Sequence, residues 1–291
     1  KHATLPPELP NPRLNRTLWS AMPLPTTLDE MTACALRTSK SQLGEDLVLL
    51  PTLLAQARKS GKQGRFVEIG AFTGIDLSNT YMLEKCFGWT GLLIEASPTN
   101  FAKLKNANRQ ATIVNSGVCS EPGVISMTTR GGPTAGQFGA MSAKYLSLWG
   151  GRNGASTNQK VEVPCKPMRT LMADAGMHTA HYLSLDVEGA EDKVFDTVRP
   201  TAFGLVMAEA DNYDPAKDEH VKQRALSHGM RISERVLVRA SNVFLRHDVD
   251  ETLLTPVPRE YLPLNGFRIF RFNPSHRVLR AEIANALNIT A

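Results

Sequence analysis

Between residues 65 and 248 the chain alternates short apolar runs with stretches of helical period. RFVEIG (65–70), GLLIEA (91–96), ATIVNSGV (111–118), YLSLDV (182–187) and FGLVMAEA (203–210) read as buried strands. Stretches 77–87, 98–107, 168–176, 189–198 and 216–228 read as helices between or after them. Strands covered on both faces carry continuous apolar runs, and strand–helix alternation implies a parallel sheet with right-handed crossovers. The expectation is an α/β fold, a doubly wound, mostly parallel sheet with helices on both faces. RISERVLVR (231–239) and SNVFLRHD (241–248) close the series as an antiparallel pair.

The flanks differ in texture. Residues 1–40 are Pro-rich (LPPELPNP, then AMPLPTT) and read as a stem or wrapping arm. Ser41 then reads as a helix N-cap, with Glu45 and Asp46 in the first turn and a kink or break at Pro51. Residues 130–160 are rich in Gly, Ser and Asn and form a long excursion between strands, of the kind that serves as an acceptor lid. Residues 249–291 are a C-terminal extension, FRIFRF as a strand and SHRVLRAEIANAL as a helix. No internal repeat is present, and no run of eighteen apolar residues that would span a bilayer.

With 291 residues, 42% of them hydrophobic, the core needs no metal or disulfide to be stable. The net charge of +5 is scattered except for Arg268, Arg271, Arg277 and Arg280. These suit either an acidic substrate or a solvated basic face. No helix-turn-helix, zinc-finger or aromatic RNA-binding signature accompanies them. Cys34, Cys86, Cys119 and Cys165 form no C-x-x-C pair, which argues against zinc or thioredoxin-like chemistry. The even count permits two disulfides, and Asn15-Arg16-Thr17 and Asn288-Ile289-Thr290 are glycosylation sequons. Both features fit a secretory or Golgi lumen better than a cytoplasm.

Three clusters carry candidate chemistry. In Val67-Glu68-Ile69-Gly70-Ala71-Phe72-Thr73-Gly74 a strand runs into a turn with two glycines before a helix. Gly70 permits a sharp turn and close approach to a ligand, and the next helix start offers amides for a carboxylate or phosphate. The spacing E-x-G-x-x-x-G differs from G-x-G-x-x-G and argues against a nicotinamide cofactor. Glu95 ends the next strand, 27 residues after Glu68, where a carboxylate can accept two hydrogen bonds from ribose hydroxyls. In Leu183-Ser184-Leu185-Asp186-Val187-Glu188-Gly189-Ala190-Glu191, three acids follow an apolar strand and call for a cation, a sulfonium or a substrate proton. Glu191 alone suits a helix N-terminus.

These residues resemble FkbM-type methyltransferases. SQLGEDLVL (41–49), FVEIGAFTGIDLSNTYMLEKCFGWTGLLIEASPTNFAKL (66–104) and LSLDVEGAEDKVFDTV (183–198) carry the likeness, which covers roughly 41–248. It implies a Rossmann-like seven-stranded sheet with an antiparallel last strand and transfer of a methyl group from S-adenosylmethionine to a hydroxyl of a sugar, glycan or related small acceptor. By position, Glu68, Gly70, Ala71, Phe72 and Gly74 would surround the methionine part of the cofactor. Ser78 and Asn79 would hold its carboxylate, Glu95 with Ala96 the ribose, and Ser116-Gly117 the adenine edge. Asp186 and Glu188 would face the sulfonium and the acceptor.

An alcohol is a poor nucleophile until it loses its proton, which a base or a metal assists. Base candidates are Asp186, Glu188 and His247; His181 precedes its strand and stands at the wrong end. Asp186 with Asp211-Asn212 offers a magnesium alternative, similar to the site of catechol-type O-methyltransferases and suited to hard oxygen ligands. Asp211–Pro215 is also ordinary turn composition. Two other readings share the fold, a nucleic-acid methyltransferase and an inactive cofactor-binding scaffold. The first normally shows an Asn-Pro-Pro-Tyr-type motif, which is missing, and the second is disfavoured by the intact glycine turn, Glu95 and Asp186.

Overall fold

The computed structural model describes residues 23–128, 132–149, 160–210, 213–233, 241–255 and 271–290. Seven strands form the main sheet: β1 (Arg65–Ile69), β2 (Thr90–Glu95), β3 (Thr112–Asn115), β7 (Ala180–Leu185), β8 (Phe203–Glu209), β9 (Arg231–Ile232) and β10 (Ser241–Leu245). Their order is β3-β2-β1-β7-β8-β10-β9, with β10 antiparallel to both its neighbours. The expected Rossmann-like, doubly wound sheet is therefore present. The chain winds outward from β1 in one direction and from β7 in the other, so the crevice between them is a topological switch point.

Alternation within each strand divides the core in two. Phe66, Leu93, Tyr182, Leu205 and Met207 face a layer containing α1 (Leu28–Thr38), α2 (Glu45–Ser60), α3 (Tyr81–Phe87) and α9 (His276–Leu287). Val67, Leu92, Ile94, Leu183, Leu185 and Val206 face α6 (Met168–Asp174), α7 (Glu191–Phe195) and α8 (Pro215–Ser227). Period-two side chains on a two-sided sheet account for the unbroken apolar runs. A further helix, α4 (Pro98–Leu104), is capped by the Ser97 hydroxyl.

The structure departs from the sequence pattern at several places. Part of the Pro-rich stretch, Leu28–Thr38, is a helix with a Thr27–Glu30 capping box, because Cys34 and Ala35 supply an apolar stripe that packs into the core. The cap of α2 is Gly44, not Ser41, whose hydroxyl instead bonds the buried Asp46 at 2.5 Å. The helix runs unbroken through Pro51, since every residue from Glu45 to Leu54 is buried and packing outweighs one lost backbone bond. The run 111–118 is not one strand. It leaves the main sheet at Ser116, and β4 (Gly117–Val118) joins a second sheet with β5 (Gly123–Thr128) and β6 (Lys160–Lys166), ordered β4-β6-β5. Neither β5 nor β6 is evident as an apolar run. The helix expected over 77–87 starts only at Tyr81.

Of the 130–160 excursion, residues 132–149 are described: Gln137 bridges to Met127 beside β5, and α5 (Ala143–Trp149) follows. Of the FRIFRF run only Arg271 and Phe272 fall within the described residues, as does all of the C-terminal helix, capped by Ser275. Two disulfides are formed, Cys34–Cys86 and Cys119–Cys165. Among the described residues no helix is long and apolar enough to cross a membrane. Arg271 donates to the Ser39 carbonyl and Arg280 pairs with Asp29, so part of the C-terminal basic cluster fastens the chain to itself.

Candidate active site

A cleft of about 890 Å³, its mouth included, opens at the carboxyl ends of β1, β2 and β7. Its walls include Glu68, Gly70, Ala71, Phe72, Ser78, Asn79, Glu95, Ala96, Ser116, Gly117, Asp186 and Glu188, which brings nearly all the expected cofactor and acceptor residues together. Among the described residues five non-glycine residues have positive φ, of which Asn108 and Asn288 belong to the type that tolerates it. The other three, Phe72 (48°), Leu77 (61°) and Glu188 (59°), all line this cleft. Strain of that kind costs on the order of 1–3 kcal/mol per residue and concentrates where a ligand or a reaction requires it.

The loop between β1 and α3 is organised from beneath by Glu68. Its buried carboxylate accepts from the Ser78 hydroxyl (2.9 Å), the Asn79 amide (2.7 Å) and the Thr80 hydroxyl (2.5 Å). Burial raises its pKa, and the nearby Arg109 guanidinium opposes the shift. Glu68 therefore holds the loop rather than the ligand. Arg109, which the sequence pattern did not single out, reaches into the same loop and bonds the Gly74 carbonyl, Ser78 and Thr80 as well as Glu84. Asn79 donates its side-chain amide to Ser184 (3.1 Å), while its Oδ1 is buried with no hydrogen-bond partner among the described residues. A buried acceptor without a donor is costly, and Asn79 stands on the cleft wall.

Glu95 holds the centre. Its Oε2 accepts from the Phe72 amide (2.7 Å) and its Oε1 from the Ser97 amide (2.8 Å). Burial pushes the carboxyl up to about 7 in spite of these bonds. The Asn100 side chain bonds the same carboxylate, which lines the cleft with part of its acceptor capacity left for a hydroxyl donor. The wall opposite comes from the second sheet, Gly117, Val118, Ile125 and Met127, and from Gly132, Pro133 and Gln137 beyond it. Asn100 clamps that last segment, exchanging hydrogen bonds with both the amide and the carbonyl of Gly132. Ser116 turns its hydroxyl to the Gly117 and Pro164 carbonyls, so its contribution is the bend between sheets.

The turn glycines and the histidines occupy different places, Gly70 on the cleft wall and Gly74 off it. Gly70 (φ 81°) is required by its neighbour strand, because a Cβ there would lie 1.8 Å from the Asp186 carbonyl oxygen. Gly74 does not line the cleft; a Cβ would strike Leu104, so it is a packing glycine under α4. His247 lies at the opposite edge of the sheet. Because β10 runs antiparallel, the residues after Leu245 return to the start of β8, where the Arg246 amide bonds the Gly204 carbonyl. His247 therefore cannot act as the base. His181 also stands at that edge, accepting from the Arg65 amide, and burial lowers its pKa. Asp211 and Asn212 lie outside the described residues.

Asp186 is exposed at the end of β7 and Glu188 half-buried two residues on. Tyr145 of α5 packs close by, its hydroxyl donating to the Thr134 carbonyl (3.3 Å). Burial and the adjacent Glu188 charge raise the phenol well above its usual range, so it stays a donor. The excursion thus reaches Glu188 through Tyr145, a link the sequence pattern does not reveal.

Several solved structures are similar at low identity. A methyltransferase FkbM from Methylobacillus flagellatus KT shares 14% identity over 63% of this chain and 43% of its own, with a TM-score of 0.40. An O-methyltransferase from Bacillus cereus in complex with SAH shares 10% over 78% and 94%, at 0.36. Aeropyrum pernix fibrillarin with bound S-adenosyl-L-methionine shares 11% over 63% and 66%, at 0.34. This chain thus spans less than half the length of the Methylobacillus protein. No curated protein matches it. Residues 68–225, more than half of the 291-residue chain, match the methyltransferase FkbM domain and include the Glu68 loop, Glu95 and the Asp186–Glu191 turn. The chain belongs to the FkbM methyltransferase family.

Proposed function

We propose that this methyltransferase uses S-adenosylmethionine to methylate a hydroxyl of a sugar, glycan or related small acceptor. The observation that carries the reading is Glu95, a carboxylate fixed by two backbone amides at the carboxyl end of β2, lining a cleft beside the switch point whose wall also includes Asn79, with its Oδ1 unpartnered among the described residues. Glu95 would take the ribose hydroxyls, Asn79 the methionyl ammonium, and Gly117, Val118 and Met127 the adenine. Bound there, the cofactor supplies a methyl group activated on a sulfonium. Asp186 and Glu188 stand at the acceptor end, where either carboxylate can take the hydroxyl proton as the oxygen becomes nucleophilic. The rest of the rate comes from alignment, which the strained, multiply bonded loops favour by holding these groups in one arrangement.

The acceptor class follows from the family likeness. An oxidising compartment, the secretory or Golgi lumen, is supported by the two disulfides and by the exposed sequon residue Asn288 at the end of α9.

The test is calorimetric titration of the purified chain with S-adenosylhomocysteine beside Glu95→Ala and Asn79→Ala, each checked for native circular dichroism. Binding on the order of micromolar that weakens at least about tenfold in both variants is expected. Methyl transfer from labelled S-adenosylmethionine to a panel of mono- and oligosaccharides then reads the acceptor. A folded wild-type chain that binds no S-adenosylhomocysteine overturns the cofactor assignment, and transfer only to RNA or protein overturns the acceptor class.

A further inference from the structure

Asp186, Glu191 and Glu209 bring one carboxylate oxygen each within 4.8 Å of one another at the carboxyl ends of β7 and β8. Oxygen ligands so grouped could gather a divalent cation. Glu191, however, is already committed. Its Oε1 accepts the amides of Val187 (2.9 Å) and Gly189 (3.2 Å), and its Oε2 accepts the Lys217 ammonium at 2.7 Å. Lys217 comes from α8 and its side chain is 4% exposed, that of Glu191 0%. The same ammonium lies 3.4 Å from Asp218.

We propose that Lys217 is a positioning residue of the methyl-transfer site, whose buried ammonium takes the place of a divalent cation and, through Glu191, fixes the turn that carries Glu188. The turn needs such a device. Glu188 (φ 59°) and Gly189 (φ 107°) hold left-handed conformations, and the first is costly for a residue with a side chain. The two amides flanking Glu188 are held by one carboxylate, which is itself buried and requires a counter-charge. Lys217 supplies it from the next crossover helix, so the β7 and β8 ends are locked to each other through a charged pair. A metal ion beside Glu191 would stand next to that ammonium, and like charges at such a distance repel.

The proposal rests on Asp186 and Glu188 being the acceptor end of the cleft. Its experiment uses the full chain as wild type, Lys217→Met, Lys217→Arg and Glu191→Gln, with three readouts. These are Mn2+ titration by electron paramagnetic resonance, amide exchange over residues 183–192, and S-adenosylhomocysteine affinity. Wild type is expected to bind Mn2+ no more tightly than about millimolar, and Lys217→Met at least about tenfold more tightly. Exchange in the 187–189 turn should speed at least about tenfold in Lys217→Met while β1 stays protected. Lys217→Arg should restore both values, and cofactor-product affinity should move by less than about threefold. A single micromolar Mn2+ site in wild type that Glu191→Gln abolishes overturns the proposal, as does unchanged exchange of the turn in folded Lys217→Met. Should Lys217→Met not fold, wild type and Glu191→Gln decide: fast turn exchange in Glu191→Gln and no wild-type Mn2+ site uphold the proposal, and slow exchange overturns it. Loss of wild-type S-adenosylhomocysteine binding would sink the cofactor reading alone, since the manganese and exchange readouts need no cofactor.

Discussion

A carboxylate whose pKa lies near neutrality reports on its ligand through pH. Burial pushes Glu95 up to about 7 from an ordinary value of 4.5. The sign for stability follows from proton linkage: between pH 4.5 and 7 the folded state binds more protons than the unfolded one. The contribution of Glu95 to stability is therefore fully present below pH 4.5 and is lost as pH rises through 7. Under the proposed ribose contact ligand binding runs the opposite way, because two hydroxyl donors favour the ionised form. S-adenosylhomocysteine affinity is expected to rise about tenfold from pH 6 to pH 8, and Glu95→Gln to bind weakly with no such slope. Calorimetry across that range checks it, and a flat wild-type profile would overturn the proposed contact of Glu95 with the ribose hydroxyls.

At the scale of elements, the loop from Gly70 to Thr80 depends on a cation it does not contain. Arg109 and Glu84 form an ion pair at 3.0 Å with both side chains 0% exposed, and Arg109 also bonds the loop at Gly74, Ser78 and Thr80. Removing one partner of a buried pair strands the other. Arg109→Met is expected to cost about 3–5 kcal/mol in urea unfolding, and Arg109→Lys to recover little, since one ammonium cannot make the fork's divergent bonds. A loss below about 1 kcal/mol would show that the loop is held by Glu68 alone. Such a network explains what the sequence could and could not show. Strands β1, β2, β7 and β8 were legible because two-sided burial writes itself as apolar runs, and Glu95 and Asp186 because they end those runs. Strand β6, KVEVPCK, alternates exposed and buried positions around Pro164, a weaker signature that a proline conceals. The roles of Arg109, Asn100 and Tyr145 depend on contacts between distant segments, which no local pattern encodes. His247 stands away from the cleft because β10 is antiparallel, as the family likeness implied, so its end returns to the edge where β8 begins.

Across the whole molecule the cleft is walled by two sheets that share no strand, and the chain passes between them at Ser116. Only one covalent link spans that second wall: among the described residues Cys119–Cys165 ties the end of β4 to β6, with Gly117 in register opposite Cys165. The other disulfide, Cys34–Cys86, joins α1 to α3 in the core on the far face of the main sheet. Each closes a loop of similar length, 46 and 52 residues, so each should stabilise the fold by about 2–4 kcal/mol through the unfolded chain. Their effects on the site should differ. Replacing Cys119 and Cys165 by serine frees the strand bearing Gly117 and Val118, and both stability and S-adenosylhomocysteine affinity are expected to fall. Replacing Cys34 and Cys86 should lower stability by a like amount and leave affinity within about threefold of wild type. Urea unfolding and calorimetry on the two double variants separate these effects. Equal losses of affinity would mean that the disulfides act only through global stability, and that the second sheet keeps its place over the cleft without a covalent tie.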